Sequence, residues 1–214
     1  LLARAVAALK ASDAAWRAHA ESTGTAPVQP LLVIQVSPGI SDNDLATIAS
    51  TLESEWDLLV GDAVRHSFQS HTVMNLPGDR AVRYIAPDRI AADTHVRAVL
   101  FKSALTTGWD CPRAEVMLSL RAAKDYTAIA QLIGRMVRTP LAERIETDES
   151  LNDVTLYLPH YSKEQVAKVV AALGADTGGD TEVVVEPADC IARTHLDDGR
   201  EMPAAVWELL AALP

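Results

Sequence analysis

Three short apolar runs, each ended by polar or turn-forming residues, constrain this chain more than any other feature. Leu31–Val36, Val96–Phe101 and Glu115–Leu120 are too short for buried helices. They are also too continuous to keep one face wet, so they read as strands buried on both sides. Helical patterns separate them. Leu1, Leu2, Ala5, Val6, Leu9 and Trp16 recur at helical spacing, and Ser22–Pro30 is a turn-rich connector. Ser41 with Asp44 forms a capping-box pattern. It opens a helix with a stripe of Leu45, Ile48, Leu52, Trp56 and Leu59, which Gly61 is expected to stop. Residues 64–86 read as short strands, around Asn75–Arg80 and more clearly at Ala81–Ala86. Ile90–Thr94 reads as a helical turn and Asp125–Arg138 as a strong helix. This alternation predicts an α/β layer around a parallel sheet.

Beyond Pro140 the character changes. Residues 143–153 are acidic and read as a solvated connector. A strand (Val154–Leu158), a helix capped by Ser162 with Gln165, a strand (Glu182–Val185) and a last helix after Pro203 follow. The expected division is a main domain over 1–140 and a small C-terminal α/β extension over 141–214. That extension either continues the same sheet or forms a subdomain.

With 214 residues, 49 % of them hydrophobic, the chain has material for a large core, and disorder is excluded as its dominant state. No apolar run approaches the ~20 residues of a membrane-spanning helix. No basic-then-apolar leader opens the chain, and its first residue is Leu, which reads as a segment of a longer polypeptide. Two cysteines, Cys111 and Cys190, make neither a metal cluster nor a disulfide framework and leave only a single bridge open. That usage fits a cytoplasmic protein. The net charge of −10 is uneven: residues 79–140 hold 10 Lys and Arg against 6 Asp and Glu. A polyanion is therefore expected to meet the middle third.

On the helix 125–138, Lys124, Thr127, Arg135 and Arg138 fall within about 40° of Gln131, while Ile129, Leu132, Ile133, Met136 and Val137 fall opposite. A solvated polar face is the ordinary explanation of such a pattern. No carboxylate shares the face, however, and guanidinium forks without acidic partners suit phosphate oxygens. Lys102–Pro112 follows a buried strand directly, where open α/β sheets carry ligand sites, and it is too polar and turn-rich to be core.

Gly108-Trp109-Asp110-Cys111-Pro112, followed by Gln131-Leu132-Ile133-Gly134-Arg135-Met136-Val137-Arg138, resembles motifs V and VI of superfamily 2 helicases. The likeness is closest to the DEAD/DEAH-type helicase subunit of type III restriction enzymes, and every fixed position of the Gln-x-x-Gly-Arg-x-x-Arg motif is matched. Pro30–Val36 looks like the motif IV strand, so the resemblance covers roughly residues 30–140. It implies a RecA-like fold, the second of two motor domains, acting with ATP and Mg²⁺ held mainly by the first. It further implies Arg135 and Arg138 as arginine fingers, and Gln131 near the γ-phosphate or the attacking water. Gly108 and Asp110 would form the turn at the nucleotide, and Lys102 with Ser103 would contact the nucleic-acid backbone. The implied partners are DNA, the first RecA-like domain of the same polypeptide, and other restriction or defence subunits.

No glycine here begins a Gly-Lys-Ser/Thr, and no Asp-Glu-x-His/Asp box is seen, so this piece is not expected to hydrolyse ATP alone. A non-catalytic RecA-like module for binding nucleic acid or protein is the competing reading. An unrelated α/β enzyme is a weaker one, because no acid/base or nucleophile set assembles. His66 and His71, five apart, lack a further ligand for a metal. His19, His95, His160 and His195 are scattered, and Cys111 lacks a His or Asp partner. Trp16 and Trp56 read as core, and Trp109 reads as a packing residue of its loop ahead of a base-stacking one.

Overall fold

The computed structural model describes residues 1–102, 109–121, 132–136, 140–141, 144–160, 162, 164–168 and 171. The chain divides into two compact units, Leu1–Val184 and Val185–Pro214, and every described residue lies in the first.

Among the described residues seven strands form one sheet: β1 (Leu31–Gln35), β2 (Val64–His66), β3 (Met74–Leu76), β4 (Arg80–Tyr84), β5 (Ala98–Phe101), β6 (Ala114–Ser119) and β7 (Thr155–Tyr157). Their order is β3-β4-β2-β5-β1-β6-β7. All neighbouring pairs are parallel except β3 with β4. The three runs that open the sequence reading thus lie side by side at the centre as β5, β1 and β6. β7 adds to the sheet beside β6, so this part of the C-terminal region continues the same sheet. The expected strand Glu182–Val185 and last helix lie outside the described residues.

Alternate residues of β1 point to opposite faces. Leu32 and Ile34 pack with Ala5, Val6 and Leu9 of α1 (Leu2–Thr23) and with Leu45, Ile48 and Leu52 of α2 (Asp42–Trp56). Leu31 and Val33 pack on the other face with Trp109, Cys111, Leu132, Ile133 and Met136. The sheet therefore sits between two covering layers. The helical residues 132–136 bury the face that the periodicity assigns to the core.

Ser41 caps α2 as expected, its hydroxyl oxygen accepting from the Asp44 N–H at 3.1 Å. The end of that helix differs from expectation. It stops at Trp56, where Asp57 takes φ 58° and its N–H bonds the Glu53 carbonyl. Gly61 instead lies inside the short helix α3 (Val60–Ala63). Leu59, expected on the buried stripe, is 72 % exposed, because the left-handed Asp57 takes the chain off the helical path first. Trp56 is only half-buried. The helical turn expected at Ile90–Thr94 is preceded by a 3-10 turn at Pro87–Arg89, since proline presets the first helical φ. It continues through residues 90–92, where the Asp93 N–H bonds the Arg89 carbonyl at 3.1 Å. The acidic connector is also not wholly solvated, because Ile145 and Leu151 pack against Trp16. Ser162 and Gln165 bond reciprocally, at 2.8 and 3.3 Å, ahead of helical residues 164–168. No helix among the described residues is long and apolar enough to cross a membrane.

Candidate functional site

The amino edge of the sheet consumes several of the cations that give the middle third its surplus. Arg97 bonds Asp13 at 2.7 Å and stands over the Trp56 ring, 5.0 Å from its centroid. Arg113 is buried and donates to five backbone carbonyls, those of Gln29, Ile90, Ala91, Asp93 and Val96. Burial lowers its pKa, yet arginine keeps its proton at any ordinary pH. Arg80 pairs with Glu53 at 2.7 Å on the flank. These three arginines hold loops together, so they belong to the charge surplus of residues 79–140 while being engaged within the fold.

The segment 109–113 corrects an expectation. Its polar, turn-rich composition predicts a segment outside the core, but Trp109 and Cys111 are fully buried on one sheet face and Arg113 is buried as well. Trp109 fills the packing role foreseen for it. Its indole N–H has no hydrogen-bond partner among the described residues. Burial raises the Cys111 thiol to about 11, which keeps it protonated and inert. Asp110, between them, is exposed.

Arg135 lies on the helical segment 132–136 and is half-buried. Its guanidinium donates to the Trp109 carbonyl at 2.8 Å. The guanidinium expected to lack acidic partners is thus engaged with a backbone carbonyl. Arg135 fastens its helix to the residue before Asp110, because a forked cation beside a loop finds the nearest bare carbonyl. The structure thus brings together Arg135 and the segment carrying Asp110. Gln131, Arg138, Gly108 and Ser103 lie outside the described residues.

Lys102 stands at the carboxyl end of β5, with its ammonium over the Phe68 ring at 4.7 Å from the centroid. The Arg121 guanidinium, just past the end of β6, reaches the Lys102 carbonyl at 3.5 Å. Between these strands, at the end of β1, the Ser119 hydroxyl donates to Gln35 Oε1 at 2.7 Å, and both side chains are buried. Open α/β sheets place ligands at this edge, and among the described residues Lys102 and Arg121 stand at it. Arg121 is the residue sequence reading missed. Its signal was present, since it follows a predicted buried strand directly, as Lys102 does.

His66, at the end of β2, is fully buried and has both ring nitrogens engaged. Nε2 bonds the Thr72 carbonyl at 2.7 Å, and Nδ1 accepts from the Phe68 N–H at 3.2 Å. Desolvation lowers its pKa despite the bond to Thr72. It is a neutral structural imidazole, so His66 and His71 make no metal pair. Among the described residues no three His, Cys, Asp or Glu side chains stand together as a ligand set. Mg²⁺ thus finds no ligand set in them, whereas the guanidinium of Arg135 and the exposed Asp110 suit the phosphate and sugar of a nucleotide. No protein-family model matches the chain, and no curated protein matches it in sequence.

Proposed function

We propose that this chain is the second, RecA-like motor domain of an ATP-dependent DNA helicase or translocase. One observation carries the reading. The segment that resembles motif VI is bonded, through Arg135, to the segment that resembles motif V. A central parallel sheet with these two segments covering one face is the architecture such a domain needs. In this reading Arg135 and Arg138 donate to the oxygens of the transferring phosphoryl group and stabilise the charge that develops there. Gln131 would serve the γ-phosphate or the attacking water, Asp110 would serve the ribose, and Lys102 with Ser103 would hold the nucleic-acid backbone. Bound ATP supplies the anhydride whose cleavage drives opening and closing of two motor domains. The phosphate-binding loop and Mg²⁺ ligands belong to the first of these domains.

The bond from Arg135 to the Trp109 carbonyl also favours a second reading. A fold that uses this arginine only to position a loop serves equally as a non-catalytic module for nucleic acid or protein. Turnover separates the two. In the longer polypeptide that the motor reading requires, Arg138→Ala and Arg135→Ala should leave nucleotide binding nearly intact. They should lower DNA-stimulated phosphate release by about 10³–10⁵-fold. Lysine at either position should not rescue, because a point charge does not reproduce the planar fork. Wild-type turnover in both alanine variants would leave the non-catalytic module as the reading.

A further inference from the structure

At the carboxyl edge of the sheet, next to Lys102, the turn after β2 holds an imidazole out to solvent. His71 is exposed and stacks on the Tyr84 ring at the end of β4, with centroids 4.2 Å apart and planes 27° from parallel. The arrangement is built by the fold. His71 takes φ 53°, a left-handed conformation uncommon outside glycine. Three contacts hold the turn. His66 Nε2 bonds the Thr72 carbonyl, the His71 N–H reaches the Phe68 carbonyl at 3.3 Å, and the Ser67 hydroxyl donates to the Ile85 carbonyl at 2.7 Å. Val73, two residues beyond His71, is 50 % exposed. Phe68 under the Lys102 ammonium joins this turn to the cationic edge.

A ring stacked on one side and open on the other, with a cation on the same edge, suits a flat aromatic group joined to a phosphate. We infer that His71, backed by Tyr84, is a stacking platform for an unpaired nucleobase, while Lys102 takes an adjacent backbone phosphate. The occupant is single-stranded nucleic acid, since bases within a duplex do not offer their faces. The inference rests on the nucleic-acid reading above and goes beyond it in naming the strand state and the residues that sense it.

The test is fluorescence anisotropy at low ionic strength with the full 214-residue chain. The probes are an oligothymidylate of about 15 residues, an abasic strand of equal length and a duplex of equal length. Wild type should prefer oligothymidylate. His71→Gly, which suits the left-handed φ, should weaken oligothymidylate binding by roughly tenfold. It should leave abasic binding unchanged, and that unchanged binding also reports an intact fold. Lys102→Gln should weaken both single strands and reduce the slope of log K against log salt by about 0.7. Equal binding of oligothymidylate and abasic strand by wild type, or by wild type and His71→Gly, would overturn the platform while leaving the nucleic-acid reading standing. No binding of any strand, or equally tight binding of an acidic polypeptide, would overturn both.

Discussion

Glu115 enters the interface between α1 and β6 because the sheet register slips there. Leu31 faces Ala114 while Leu32 faces Val116, so Glu115 is the extra residue of a bulge. Its carboxylate accepts from the Ser12 hydroxyl and from Trp16 Nε1, the latter at 2.6 Å. Desolvation outweighs these bonds and lifts the pKa from 4.5 to about 7, with Asp13 contributing in the same direction. Below pH 4.5 the acid is neutral in both folded and unfolded chains. Between pH 4.5 and about 7 the unfolded chain releases its proton while the folded one keeps it, so stability falls as pH rises. The loss should be on the order of 3 kcal/mol and complete above the folded pKa. Glu115→Gln keeps an acceptor for Trp16 without the charge, so it should be the more stable protein at pH 8. Urea midpoints of the two proteins against pH check this, and a constant difference across that window would contradict the assignment.

Among the elements, the least regular stretches depend most on one side chain. The 3-10 turn at Pro87–Arg89, the start of β5 and the connector before β1 leave carbonyls at the amino edge, and Arg113 satisfies five of them. Lysine at this position offers three donors on a point charge, so Arg113→Lys leaves buried carbonyls without partners. It should lower the unfolding free energy by about 2–5 kcal/mol, read from denaturant titrations, with the same secondary structure by circular dichroism. A cost near zero would show that the guanidinium does not seal this edge. At the same scale the caps were legible. Ser41 and Ser162 bond as their local pattern predicts, because a cap needs only neighbours three residues away. The end of α2 was not, since Asp57 rather than Gly61 takes the left-handed turn.

For the whole molecule, charge placement bears on the proposed contact with nucleic acid. The chain carries −10 overall, and Arg80, Arg97 and Arg113 are engaged within it. Among the described residues, Lys102 and Arg121 stand at the carboxyl edge, where the proposed function puts the nucleic-acid backbone. The 214-residue chain should therefore bind single strands weakly, with a slope of log K against log salt of about −1 to −2. Anisotropy titrations across ionic strengths measure it. A steep slope with nanomolar affinity at physiological salt would show a far larger cationic surface than this one.

Sequence by itself determined the central strands β5, β1 and β6 and the buried face of Leu132, Ile133 and Met136, through hydrophobic patterning, and the Ser41 and Ser162 caps, through polar residues at cap spacing. Each depends on burial or on bonds local in sequence, and the residue types record both. Only the tertiary structure decided the roles of the polar residues. The carbonyl that engages Arg135 lies 26 residues away in sequence, and the helix that shelters Glu115 about 100 residues away. It alone placed Tyr84 beneath His71 and separated the arginines that seal loops from the cations at the carboxyl edge. A buried polar group is defined by whichever distant atom satisfies it, and no local pattern carries that pairing.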